Sequence, residues 1–155
     1  MADRAENKSA QWDGKLPSAP RPSGSYEPAS QAGNLLFTAG QVPRVNGAVQ
    51  YRGKVGSECT LEDAYKGARI CALNCLAAIK QAVGSLERVD RIIKVTGYIN
   101  AEPNFSQNPK VLDGASDLLL EVFGDRGRHA RSAIGVQALP DQASVEVEMI
   151  ILLKQ

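Results

Sequence analysis

Residues 143–153 read ASVEVEMIILL. Val145, Val147 and Met149 alternate with Glu146 and Glu148, the period of a strand that presents one apolar and one polar face. From Ile150 to Leu153 every residue is apolar, so the face that carries the glutamates runs on into Ile150 and Leu152. A fully solvated face does not end that way. The stretch therefore points to a sheet with one face covered by helices and the other covered, at least at one end, by something else. A carboxylate at the edge of a buried zone has its pKa raised unless a cation or donor opposes it, and such a group exchanges protons near neutral pH. On this strand alone the alternative is that Glu146 and Glu148 decorate the solvent side of an edge strand.

Working outward, ARSAIGVQA (130–138) reads as another strand, and the intervening LPDQ (139–142) makes a hairpin with 143–153 the simplest connection. Upstream, residues 91–100 have the β-branched content of a strand. Leu35 to Ala39 form a short apolar run closed by Gly40 and Pro43, and a weak strand is expected near Ala48 to Tyr51. A helix is expected over 61–82: Thr60 and Asp63 resemble a capping box, and Ala64, Ala68, Cys71, Cys75 and Ile79 make one stripe that ends before Gly84. A second helix follows, with Asn108 as expected N-cap, Pro109 in the first turn and Gly124 at the end. The order β, β, helix, β, helix, β, β predicts an α+β fold, a mixed sheet with two helices on one face. With both helices spent, a second copy of the chain is the economical cover for the other face. Residues 1–25, polar and rich in proline and glycine, read as an extended lead-in to a single domain over 26–155.

Bulk composition narrows the function. Eighteen basic and seventeen acidic residues give a formal charge of +1, which offers no broad attraction to nucleic acid or to an anionic membrane. No apolar segment approaches bilayer length, and the first residues lack the apolar core of a secretory signal. Three cysteines fit a reducing compartment better than a disulfide framework, so a cytoplasmic protein is expected. Anion recognition must then be local, and RGRHARSAIGV (126–136) concentrates three arginines and the single histidine. Arg126 and Arg128 fall in a glycine-flanked loop and read as solvated charges. Arg131 opens a strand, so its guanidinium can present a fixed two-pronged donor to a carboxylate, or else a salt bridge to a nearby acid. His129 has no partner histidine or cysteine at ligand spacing and reads as an ordinary loop residue. Cys71 and Cys75 read as core packing. No phosphate loop, dinucleotide fingerprint or nucleophile elbow is present, and neither metal nor organic cofactor is expected.

Several segments together resemble the Rid/YjgF family of reactive-intermediate deaminases, some earlier labelled endoribonuclease L-PSP. They are GSYEPA (24–29), GNLLFTAGQVP (33–43), TLEDAYKGA (60–68), RIIKVTGYIN (91–100), ARSAIGVQALP (130–140) and VEVEMI (145–150), in order over almost the whole chain. The longer proline-rich start and NPKVLDGASDLLLEVFG (108–124) place it in a less studied branch. The resemblance implies a chorismate-mutase-like fold and a homotrimer whose sheets build a central β-barrel, with clefts between subunits. It further implies hydrolysis of 2-imino or enamine carboxylates to 2-oxo acids and ammonia. In that family the residue at Arg131 holds the substrate carboxylate, Glu146 positions or activates water, and Tyr26, Ala39, Gly40 and Ala133 line the pocket. Ala39, Ala133 and Gly135 stand where better-known members carry larger or more polar residues, which implies a bulkier or less polar substrate. The alternative function is a trimeric protein that binds or senses small carboxylates without turnover; ribonuclease activity is disfavoured by the neutral charge and the few aromatics.

Overall fold

The computed structural model describes residues 2–155, with side chains from Lys8 onward. The mixed α+β sheet is present. Strands β1 (Ala29–Ala32), β2 (Leu35–Thr38), β5 (Val89–Asn100), β6 (Ala130–Val136) and β7 (Val145–Leu153) form a five-stranded sheet in the order β1-β2-β7-β5-β6, while β3 (Arg44–Val45) and β4 (Ala48–Val49) make a small separate hairpin. Helices α2 (Leu61–Val83) and α3 (Asn108–Phe123) cover one face, and a third helix, α1 (Ala2–Asp13), lies beside α3.

Four expectations change. The hairpin between 130–138 and 143–153 does not form. Instead β6 runs parallel to β5, with Arg131 opposite Val95, and β7 is antiparallel to both β5 and β2. The reason is burial: a nine-residue strand with Val145, Val147, Met149, Ile151 and Leu153 at 0–2% exposure belongs in the middle of the sheet, paired on both sides. Asp141 and Gln142, at φ 54° and 57°, carry the 137–144 connection across the end of β5 in place of a tight turn. The second change is at the N-terminus, where residues 2–13 are helical rather than extended. Ala, Arg, Glu, Lys and Gln make up seven of its twelve residues, and the breakers begin only at Gly14 and Pro17. The Asp13 carboxylate anchors the helix end, accepting from Ser85 Oγ (2.6 Å) and the Leu86 N–H (3.0 Å), while Lys80 Nζ donates to the Asp13 carbonyl (2.7 Å). Third, the N-cap of α3 is Gln107 and Asn108 is its first helical residue; Pro109 still sits in the first turn, where its missing N–H costs nothing. Fourth, β1 adds an edge strand that the polar ASQA sequence does not announce.

Helix α2 meets its expectation closely. Thr60 Oγ1 accepts from the Asp63 N–H at 3.1 Å and Gly84 closes the helix in a positive-φ conformation. The stripe Ala64, Ala68, Cys71, Cys75 and Ile79 is fully buried, as are Val111, Ala115, Leu118, Leu119 and Val122 of α3. The thiols are inert packing: burial pushes Cys75 up to about 12 and Cys71 well above its ordinary value.

Where α3 crosses α2 the two backbones touch. A Cβ on Gly114 would collide with the Tyr65 carbonyl oxygen, a backbone atom that cannot rotate aside. Gly114→Ala gains about 1 kcal/mol of helix propensity but forces the helices apart, which costs about 1–3 kcal/mol or more in a packed core. The clash wins because the opposing atom is fixed. The expected outcome is a melting temperature several degrees lower by differential scanning calorimetry; an unchanged or raised value would show that the helices do not pack this closely.

Candidate functional site

Side chains alternate across the sheet, and that decides which polar residues can meet. Glu146 lies opposite Tyr98 and Tyr98 opposite Ile134, so Glu146, Glu148, Tyr98, Thr96, Ser132 and Ile134 share the face turned away from α2 and α3. Arg131 and Ala133 point to the other face, toward α3. Leu35, Phe37 and Ile134 on the open face are 37–47% exposed despite their size, which leaves that face as apolar as the 150–153 run foretold.

Beside the sheet, between α2 and the end of β7 that carries Glu146, lies a cavity of about 960 Å³. It is lined by the segment 15–23 with Tyr26, by Gly40, Gln41, Val42 and Arg44 to Gly47, by Ile70, Leu73 and Asn74 of α2, and by Glu146 of β7. Glu146 is half-buried and its carboxylate accepts no hydrogen bond from the described residues. It lies directly against Gly40, where any Cβ would strike Oε1. The atoms met are the end of a flexible side chain, so a Cβ at this position would push the carboxylate aside. Burial raises the Glu146 pKa, and the neighbouring Glu148 raises it further. Glu148 has a different role. It accepts the Tyr98 hydroxyl at 2.7 Å, and this bond is the main reason Tyr98 is pushed up to about 12. One glutamate is thus committed and the other is available.

Tyr26, 49% exposed, lines the same cavity. Its hydroxyl oxygen accepts the Ser23 N–H (3.2 Å) and is within 3.1 Å of Ser23 Oγ; these bonds lower its pKa. Sequence reading missed two wall-setting residues. Buried Asn74 donates to the carbonyls of Val42 (3.1 Å) and Arg44 (3.0 Å), pinning that loop to α2, and its signal was a polar residue inside the apolar α2 stripe. Arg44 pairs with Asp141 at 2.6 Å and donates to the Gly47 carbonyl at 3.0 Å.

The expected site residues therefore divide into two groups. Tyr26, Gly40 and Glu146 come together in the cavity. Ala39 is half-buried beside Gly40, its N–H bonded to the Pro28 carbonyl at 2.8 Å, and does not line it. Arg131 and Ala133 are elsewhere, and the salt-bridge alternative for Arg131 is the one observed within the chain. Nη1 donates to Asp113 Oδ1 (2.7 Å) and Ser116 Oγ (3.1 Å), and Nη2 to the Pro109 carbonyl (3.1 Å). Three of five N–H groups are used. The Nε–H and one Nη2–H have no acceptor among the described residues, so the guanidinium keeps two donors for a further acceptor.

Of the neighbouring charges, Arg126 departs from the solvated-loop reading and Arg128 keeps it. Arg126 is a structural tie, donating to the Val89 carbonyl at 2.7 Å and reaching Ser9 Oγ at 3.5 Å. Arg128 is exposed and paired with Asp125 at 3.2 Å. His129 Nδ1 donates to the Gly127 carbonyl (2.6 Å), which leaves Nε2 to accept the Ser116 hydroxyl (2.9 Å). Burial lowers its pKa, so it is neutral and orients Ser116 beneath Arg131. Among the described residues no group of three or more His, Cys, Asp or Glu is placed to hold a metal ion, and no helix is long and apolar enough to cross a membrane.

Residues 9–151 match the family described as "YjgF/chorismate_mutase-like, putative endoribonuclease". Protein TCP17 of Trypanosoma cruzi is 39% identical over 140 residues, 90% of this chain and 88% of its own. The 2-iminobutanoate/2-iminopropanoate deaminase of Dermatophagoides farinae is 29% identical over 89% of this chain and 93% of its own. A crystal structure from Shewanella oneidensis MR-1 superposes with a TM-score of 0.89 at 36% identity, covering 96% of this chain and 99% of that one. Atu1372 of Agrobacterium tumefaciens, a protein of unknown function, gives 0.86 at 34%, covering 97% and 95%. With the α+β sheet, the cavity beside it and the match over nearly the full length, the chain belongs to the Rid/YjgF family and has its chorismate-mutase-like fold.

Proposed function

We propose that this protein hydrolyses small 2-imino carboxylates to 2-oxo acids and ammonia, at a site assembled between subunits of a homotrimer. The observation that carries the reading is Glu146: a half-buried carboxylate with no hydrogen-bond donor among the described residues, its pKa raised, set against the backbone of Gly40 at the wall of a large cavity. A carboxylate so held has water as its natural partner. In the first step it takes a proton from that water as the oxygen attacks the imine carbon, and the C=N electron pair moves to nitrogen. In the second Glu146 returns that proton to nitrogen, giving the amine of the tetrahedral adduct, then takes the adduct's hydroxyl proton and delivers it to the same nitrogen as the O–H electron pair forms the carbonyl, the C–N bond breaks and ammonia leaves. Holding water and imine together in attack geometry supplies much of the acceleration.

Arg131 supplies the clamp. Its two uncommitted N–H groups are the donors for the substrate carboxylate, and Asp113, Ser116 and the Pro109 carbonyl hold the guanidinium in place. Because Arg131 and Glu146 lie on opposite faces of one sheet, the clamp of one subunit serves the carboxylate of its neighbour, and the apolar open face with Phe37, Ile134, Ile150 and Leu152 is what the subunits bury against each other. The imine deaminase from Dermatophagoides farinae supports the chemistry at the level of the family. A second reading is carboxylate binding through Arg131 without turnover.

Three outcomes are expected. Ammonia and 2-oxo acid release from enzymatically generated imines should fall about 10²- to 10⁴-fold in kcat for Glu146→Gln and roughly tenfold or more in kcat/KM for Arg131→Ala, the equivalent of about 1.5–3 kcal/mol for a charged hydrogen bond; binding of the 2-oxo acid with no ammonia release would favour the second reading. Glu146 must be ionised to take the proton and its pKa is raised, so kcat should climb as pH rises through a midpoint above the ordinary carboxylate range, and Glu146→Gln should lose that acidic limb. Light scattering should give a trimer, and a stable monomer that retains full activity would refute the shared site.

A further inference from the structure

We infer that His129 and Ser116 are positioning residues for Arg131 and set the affinity of its site for a 2-imino carboxylate; this rests on the reading of Arg131 as the substrate clamp. The placement begins in the sequence. Pro109, Asp113 and Ser116 stand at i, i+4 and i+7 of α3, which is one face of a helix. His129, just ahead of β6, and Arg131, within it, are two residues apart, and both reach Ser116. A His-x-Arg pair thus meets an Asp-x-x-Ser pair, and the chain's single histidine is spent on the serine that holds the arginine.

The hydrogen bonds between them run in one direction. The Gly127 carbonyl can only accept, so the proton of the neutral His129 ring sits on Nδ1 (2.6 Å). Nε2 is then an acceptor, and Ser116 turns its hydroxyl hydrogen toward it (2.9 Å). The lone pairs of Ser116 Oγ are left for Arg131 Nη1, which can only donate (3.1 Å). A serine inside a helix ordinarily has the carbonyl one turn back as a competing acceptor. With Nε2 in place the hydroxyl is committed, and the oxygen offered to Arg131 is fixed.

This relay matters because the remaining charged support is weak. Asp113 lies 2.7 Å from Nη1, but its side chain is 50% exposed, against 23% for Arg131, and water screens such a pair. Ser116 and His129 are both half-buried. A long arginine side chain that must be immobilised when its ligand arrives binds that ligand more weakly than one held in advance. The relay holds Arg131 through Nη1 and leaves its two uncommitted donors untouched.

The test uses the full, untagged chain, with pyruvate binding followed by calorimetric titration and turnover measured on the imine generated from alanine. Ser116→Ala and His129→Asn should each raise the pyruvate Kd and the KM about fivefold, the equivalent of one hydrogen bond, with kcat held within about twofold. Ser116→Thr keeps the hydroxyl and His129→Gln keeps a side-chain acceptor near the place of Nε2, so both should bind as the wild type does. The single histidine gives one set of ring nitrogen resonances. They should report the Nδ1–H tautomer, and pyruvate should shift Nε2 in the wild type but not in Ser116→Ala. Wild-type affinity in both Ser116→Ala and His129→Asn, equal losses in His129→Asn and His129→Gln, or an Nε2–H tautomer would overturn the relay. The tautomer is read on the wild type, so that arm holds even where a variant fails to fold. In each of those cases a loss of pyruvate binding in Arg131→Ala would leave the clamp reading standing. Binding and turnover that Arg131→Ala leaves unchanged, or a wild type that shows neither, would overturn the clamp and the relay together.

Discussion

The structure is organised by the position of one strand. β7 is hydrogen-bonded on both sides, to β2 and to β5, and its odd-numbered residues Val145 to Leu153 are buried against the helices. Central placement pairs the strand with β5 along most of its length and with β2 over Ile150–Leu152, so its backbone groups are largely satisfied within the sheet. It also fixes the even-numbered residues. Glu146, Glu148, Ile150 and Leu152 must all face away from α2 and α3, so a single row passes from an unpaired carboxylate to aliphatic surface. The polar end of that row becomes the cavity wall and the apolar end becomes the surface that calls for a second chain.

The same alternation keeps the carboxylate and the guanidinium apart. Arg131 is three residues from Ile134, which shares Glu146's face, and three is an odd number of steps. No rotamer change brings Arg131 through the sheet. In the proposed mechanism this is why a small domain works as an assembly: each chain holds one half of the chemistry on each face. α3 then acts as a jig, its Asp113 and Ser116 aiming the arginine and His129 holding Ser116.

Much of this was legible in the chain. The helical stripes, the Thr60 cap, the Gly84 stop and the alternation of the last strand depend on neighbours within a few residues, where spacing and propensity act directly. The pairing of 130–136 was not, because a hairpin and a crossover place the same residues on strands and differ only in which strand wins the centre. The N-terminal helix was hidden by the prolines that follow it, since its anchor, Asp13 on Ser85 and Leu86, is a contact across more than 70 positions. Arg126 looked like a loop charge for the same reason: its partners, Val89 and Ser9, are distant in sequence.

By itself the sequence determined the types of most elements from Leu35 onward, the two-faced character of 145–153 and a family signature that singles out Tyr26, Ala39, Gly40, Arg131, Ala133 and Glu146. Periodicity and local chemistry suffice for these. Only the tertiary structure decided that Tyr26, Gly40 and Glu146 meet in one cavity, that Arg131 is aimed from the opposite face, and that the proline segment is a wall and not a tail. Those outcomes depend on strand order and on long-range anchoring, which are set by the competition for burial across the whole chain.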